Sequence, residues 1–345
     1  MAYTDIDDPT VHFLTKLYTG TGSSNSISLG FQPDLCWIKN RGSSTATRAF
    51  DSVRGATKAI YTSTTDSEGT NSQSLTSFDS DGFTMGTHST LNGSSSNICA
   101  WCWKGGTTSG ITTNGSTTIT PASYSFNATA GISIVKYAGN GTSGAKYPHG
   151  LGVTPKTVIV KNLDADGSYW NIHHASLGNN SEVYLNGTDA APGSTSNGTT
   201  PDSVNIDLEG TGEAHNNNGA NYVAYIFAEK KGFSKFGSYT GNGNADGTFV
   251  YTGFRPAFIM TKKTSSTSNW TLLDNKRLGY NADNNRIYTN LDEAANTSDV
   301  MDILSNGFKM RSTASDNNTS GATYIYWAFA ESPFTNSSGV PNNAR

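Results

Sequence analysis

An apolar segment that returns three times constrains this chain more than any other feature. Phe31-Gln-Pro-Asp-Leu-Cys-Trp-Ile-Lys39, Val153-Thr-Pro-Lys-Thr-Val-Ile-Val-Lys161 and Phe254-Arg-Pro-Ala-Phe-Ile-Met-Thr-Lys262 each place a proline six residues before a lysine. The prolines are Pro33, Pro155 and Pro256, the lysines Lys39, Lys161 and Lys262. Proline lacks an N–H and marks a strand's first residue, and the aromatic and β-branched residues that follow suit a half-buried pleated surface. A turn precedes each copy, Tyr18-Thr-Gly-Thr-Gly22, Tyr137-Ala-Gly-Asn-Gly141 and Tyr239-Thr-Gly-Asn-Gly243. An aromatic strand closes each unit, Ile98-Cys-Ala-Trp-Cys-Trp103, Tyr222-Val-Ala-Tyr-Ile-Phe227 and Tyr324-Ile-Tyr-Trp-Ala-Phe329. From Pro33 to Pro155 is 122 residues and from Pro155 to Pro256 is 101. Solenoid repeats are roughly 20–50 residues long, so the pattern predicts tandem domains, arranged as beads.

Only 34% of the residues are hydrophobic and 14% charged, so Gly, Ser, Thr and Asn carry the polarity. These residues favour turns over helix interiors. The expected fold is all-β, three tandem related β-sandwich domains of jelly-roll or lectin-like type. The division reads as an arm at 1–12, β domains at 13–106, 131–232 and 233–334, a Gly/Ser/Thr-rich linker at 107–130 and a polar tail at 335–345. The long linker predicts a mobile first unit, and the short second junction a rigid pair of units two and three. Asp81-Gly82 before Phe83 and Asn306-Gly307 before Phe308 are matching turn signals, with no equivalent in the second unit.

A net charge of −4 without a basic stripe argues against nucleic-acid binding. There is no charged-then-apolar leader and no run of 18 apolar residues, which predicts a chain made in a cytoplasm without a signal peptide or membrane partner. Cys36, Cys99 and Cys102 read as reduced core thiols, although Cys99-Ala-Trp-Cys102 spells C-x-x-C. No G-x-S-x-G, H-E-x-x-H or phosphate-binding glycine loop occurs, so the expectation is a non-enzyme without cofactor, catalytic residue or metal.

Several clusters have a functional and a structural reading. His173-His174, near Asp164, Asp166 and Trp170, could hold a metal or carry protons, but neighbours on a strand face opposite sides and do not easily share one metal. Asn162-x-Asp164-x-Asp166-Gly167 and Asn242-x-Asn244-x-Asp246-Gly247 match half a calcium loop, yet His173 and Gly253 stand where its closing glutamate belongs. The pairs Asp79/Asp81 and Asp207/Glu209 have strand spacing that a glycosidase could use. Trp170 and Trp270 follow their strand lysines by nine and eight residues and Phe50 follows Lys39 by eleven. They are core residues or sugar-stacking platforms, with Tyr280 and Tyr288 as looser glycan-binding candidates. Each repeat lysine could pack its stem and rest its ammonium on a carbonyl or carboxylate. The many Asn-x-Ser/Thr triplets follow from composition.

Gly30-Phe-Gln-Pro-Asp-Leu-Cys-Trp-Ile-Lys-Asn-Arg41, Phe50-Asp-Ser-Val-Arg-Gly55, Leu75-Thr-Ser-Phe-Asp-Ser-Asp-Gly-Phe-Thr-Met-Gly86 and Ala100-Trp-Cys-Trp-Lys104 resemble a tandem-repeat β domain of tailed-bacteriophage virion proteins. Lys235 to Phe254 and Tyr324 to Glu331 are similar to the same family, whereas 179–219 is the weakest stretch. The three cysteines depart from the Val or Ala-like residues usual there. The resemblance implies a non-enzymatic virion structural protein of a phage of aquatic bacteria, tail-fibre-like or head-decorating. Its expected partners are other capsid or tail proteins and further copies of itself. Two other readings stand beside it: an adhesin for host-surface glycans, and a glycan depolymerase.

Overall fold

The computed structural model describes residues 3–193, 198–277, 281 and 285–342. The fold is all-β, in three related units, each pairing a six-stranded with a three-stranded antiparallel sheet. In the first unit the large sheet centres on the closing strand Asn97–Trp103, flanked by Phe13–Thr19 and Leu35–Asn40. Asn221–Phe227 takes that place in the second unit, between Ile132–Ala138 and Thr157–Asn162, and Thr323–Pro333 in the third, between Ser234–Thr240 and Phe254–Lys263. Pro33 and Pro155 stand two residues before their strands, while Pro256 lies inside its strand at a register shift, a position that needs no ladder donor.

Alternation along the closing strand explains why its apolar run is unbroken. Ile98, Ala100 and Cys102 face the small sheet, joining Ile27, Phe83 and Met85 in a sandwich core. Cys99, Trp101 and Trp103 face the other way, into a second core that also contains Ile134, Tyr225 and Phe227 of unit two and Phe258, Trp327 and Phe329 of unit three. The large sheets are therefore buried on both faces, the situation that makes strands read as continuous apolar runs. This corrects two expectations. The strands are not half-buried, and the units are not beads but wedges around one shared core. At its centre Trp103 lies with its ring 5.0 Å from Phe13, 6.1 Å from Phe227, 5.7 Å from Phe258 and 5.5 Å from Phe329.

The units close in a ring, each reaching the next in the same sense. Lys161 Nζ of unit two donates to Thr65 O of unit one, Lys39 Nζ of unit one to Asp292 O of unit three, and Lys262 Nζ of unit three to Thr188 O of unit two, each at 3.1 Å. The first unit is held as the others are: Ser67 N donates to Asp166 Oδ1, Glu68 N to Leu163 O and Thr62 Oγ1 to Thr289 O. The mobile first unit and the privileged pair of units two and three are thus replaced by three comparable interfaces.

The boundaries shift as well. Within 107–130, Ser123–Asn127 forms a strand on Ile132–Ala138, and Ile119 is buried in the second sandwich core, so much of that stretch belongs to unit two. The second unit also has the hairpin that its sequence hid. Thr199–Pro201 pairs with Asn205–Leu208, and Asp202 makes the turn by accepting from Val204 N and Asn205 N.

The Tyr-x-Gly-x-Gly turns have one structure in all three units. The tyrosine hydroxyls of Tyr18, Tyr137 and Tyr239 donate to Leu91 O, His215 O and Asn317 O. A Cβ on the first glycine would meet a carbonyl oxygen 2.1 Å away at Gly20 and 2.4 Å away at Gly139 and Gly241, and the second glycine takes φ of +72°, +67° and +68°. Fully buried asparagines, Asn92, Asn216 and Asn318, complete the turns. Asn318 Nδ2 donates to Asn244 O at 2.7 Å and Ser312 O at 2.9 Å, and its Oδ1 accepts from Asn242 N at 2.9 Å. Asn318→Ala leaves buried carbonyls and an amide unpaired and is expected to lower stability by about 1–3 kcal/mol. Urea unfolding checks this, and an unchanged midpoint would show that the turn holds without it.

Candidate functional site

The structure sorts the sequence candidates by burial. Trp170 and Trp270 are fully buried, with Nε1 donating at 2.8 Å to Tyr61 O and Tyr184 O of the neighbouring unit. They are interface residues, and no sugar reaches them. Phe50 is not their counterpart: it pairs with Cys36, three residues before Lys39, as His173 pairs with Val158. Tyr280 lies outside the described residues. Tyr288 is half-buried, its hydroxyl donating to Asp316 Oδ2 and its ring under the Arg286 guanidinium.

His173 and His174 face opposite sides of Trp170–His174 and are buried. Burial pushes His174 down to about 3 and His173 to about 4, so both are neutral at neutral pH. His174 packs edge-on against Trp327 of unit three, with ring centroids 4.8 Å apart. In the equivalent places Asp51 accepts from Tyr225 Oη and Asp274 from Trp101 Nε1. The half-calcium loops are Asx turns: Asn162 Oδ1 accepts from Asp164 N, and Asn242 Oδ1 from Asn244 N. Among the described residues no group of three His, Cys, Asp or Glu could hold a metal ion. Cys99 and Cys102 belong to opposite cores, which separates the C-x-x-C thiols. Of the carboxylate pairs, Asp79 accepts from Thr84 Oγ1 and Asp207 is paired with Lys146.

Each repeat lysine is buried, its ammonium between a carbonyl of its own unit and one of the next: Thr45 and Asp292 for Lys39, Ser168 and Thr65 for Lys161, Lys263 and Thr188 for Lys262. Loss of hydration pushes all three down to about 8. An unfolded lysine titrates at about 10.4, so above pH 8 the unfolded chain binds more protons and stability contributed by each lysine rises with pH until both forms are neutral. Unfolding midpoints from pH 8 to about 10 are expected to move in favour of the parent chain over Lys161→Met. A constant gap between them would contradict the assignment.

Among the described residues the most voluminous cleft, of about 660 Å3, lies between units two and three. Lys156 reaches it from the loop before Thr157–Asn162, Lys230 and Lys231 from the second junction, and Lys235 from Ser234–Thr240. Tyr251, 53% exposed, lines it with Lys235 Nζ over its ring, 5.8 Å from the centroid, and exposed Tyr3 lines it as well. The arm that brings Tyr3 is pinned: Asp5 N donates to Lys231 O and Lys231 N to Asp5 Oδ2, both at 3.0 Å. Gly232, at φ +75°, lets the arm pass, since a Cβ there would lie 2.2 Å from Thr4 Oγ1. The sequence signal was the density of lysines in the second junction, together with the alternation Phe249-Val250-Tyr251.

A family model matches residues 8–333, through all three units as one domain. The chain belongs to the family described as a domain of unknown function, DUF7483. That family's unit is thus the whole ring and not the single repeat. No curated protein and no solved structure matches the chain.

Proposed function

We propose that this chain is a non-enzymatic structural protein of a tailed-phage virion, displayed on the particle surface as a tail-fibre-like appendage or capsid decoration. The observation that supports this best is the closed ring with one shared core, a rigid body suited to exposure rather than to turnover. Its arm and tail lie together, with Ser337 N donating to Asp7 Oδ1 at 2.7 Å, so a neighbouring virion protein gripping either would hold the body by one side. Cryo-EM of intact particles tests the reading. Density at icosahedral copy number on capsomers makes it a decoration, density at the tail vertex an appendage, and absence from purified particles overturns it.

A second, compatible reading is glycan binding at the host surface, and the cleft favours it. Most large aromatics of this chain are buried, yet Tyr251 and Tyr3 are exposed on a concave, lysine-lined surface. The depolymerase reading has no such support: of its carboxylate pairs Asp79 is held by Thr84 and Asp207 by Lys146.

A further inference from the structure

We propose that the cleft between units two and three binds a saccharide carrying a carboxylate, with the Tyr251 ring as its platform and the Lys235 and Lys156 ammonium groups as partners of the acid. This rests on the glycan-binding reading above and adds the class of glycan.

Charge is the first argument. The chain carries a net −4, yet this one cleft gathers four lysines against two carboxylates. Both carboxylates have backbone duties, Asp5 accepting from Lys231 N and Glu229 from Phe236 N. An anion entering the cleft therefore meets a net positive wall in an otherwise acidic molecule. The threefold repeat supplies a control. The residue after the repeat proline is Lys156 in unit two but Asp34 in unit one and Ala257 in unit three. By register Lys235 corresponds to Leu14 and Ser133. The positive charge is a departure from the repeat at this one junction.

Shape is the second argument. The volume falls within the range of about 300–1,000 Å3 typical of small-ligand sites. Exposed apolar contact comes from the Tyr251 and Tyr3 rings and from Val153, and a flat ring offers a face on which the C–H face of a sugar can stack. Lys235 Nζ lies over the Tyr251 ring, 5.8 Å from its centroid, so a pyranose stacked on that ring meets the ammonium with its carboxylate.

The test is NMR titration of the intact chain with three acidic probes, trigalacturonate, a glucuronate-containing trisaccharide and sialyllactose. Uncharged counterparts and triglutamate are titrated in parallel. At least one acidic saccharide is expected to bind, with its affinity falling as salt rises and dropping roughly tenfold or more in Tyr251→Ala and in Lys235→Gln. Unchanged thermal midpoints in both variants would separate this loss from unfolding. The proposal is overturned by no binding of any acidic probe at millimolar concentration, by equal binding of triglutamate, or by affinity untouched by both substitutions. Equal binding of neutral saccharides at the cleft would also overturn it while leaving the broader glycan reading standing.

Discussion

Asp274→Ala is expected to destabilise the whole molecule by about 3–5 kcal/mol, because it strands a buried guanidinium. The Asp274 carboxylate takes Arg277 Nε at 2.6 Å, Trp101 Nε1 at 3.0 Å, and the backbone N–H groups of Lys276 and Arg277 at 3.0 Å. Both side chains of the ion pair are fully buried. Arg277 continues to Leu272 O and lies 5.7 Å from the Trp101 ring, so its charge has no route to water once the carboxylate is gone. Trp101 belongs to the first unit and Asp274 to the third, so the loss also opens an interface. Asp274→Asn keeps the shape and part of the hydrogen bonding and is expected to cost less. Equilibrium unfolding in urea decides it, and a loss below 1 kcal/mol for the alanine variant would mean that water or a rearranged side chain pairs Arg277. Asp51 repeats the arrangement with Arg54 Nε at 2.5 Å and Tyr225 Oη at 2.7 Å, which makes Asp51→Ala a parallel test at another interface.

Trp103→Ala is expected to cost a similar amount, about 3–5 kcal/mol, through the cavity it leaves. What distinguishes it is reach. The Trp103 ring touches aromatic residues of all three units, so the loss falls on the joint and not on one sandwich. Hydrogen exchange is expected to show protection falling together in the closing strands of units one, two and three. Loss confined to the first unit would show that the shared core does not couple them. The parent chain is correspondingly expected to unfold in one cooperative transition despite its length.

The repeat, the all-β class and the sandwich of each unit were legible because they rest on local pattern: a strand, a turn and a closing strand in fixed order. The ring was not, since spacing along the chain carries no information about how units face one another. Its contacts hide further because many acceptors are backbone carbonyls, at Thr65, Thr188 and Asp292, which no side-chain identity records. One clue was present. Leu35-Cys-Trp-Ile-Lys39 does not alternate with polar residues, and a strand exposed on one face would. Trp170 and Trp270 could be read two ways for the same reason, since a large aromatic on a strand suits a buried joint as well as a binding platform. The turn-closing role of Asn92, Asn216 and Asn318 escaped notice because asparagine is common in this sequence and that role depends on burial. The cleft draws on four separate segments, so no motif could announce it.

The cyclic order of the contacts also bears on valency. Three separate identical chains assembled in this way would display every surface feature in triplicate. Joining the units in one polypeptide frees each copy to change alone, as His174 has where Asp51 and Asp274 persist, and as Lys156 and Lys235 have beside Tyr251. The molecule keeps the cohesion of a trimer, yet among the described residues Lys156 and Lys235 have no lysine counterpart in the other two units. Any multivalent grip on a surface must then come from how many such molecules are arrayed side by side, and its strength is set by their spacing.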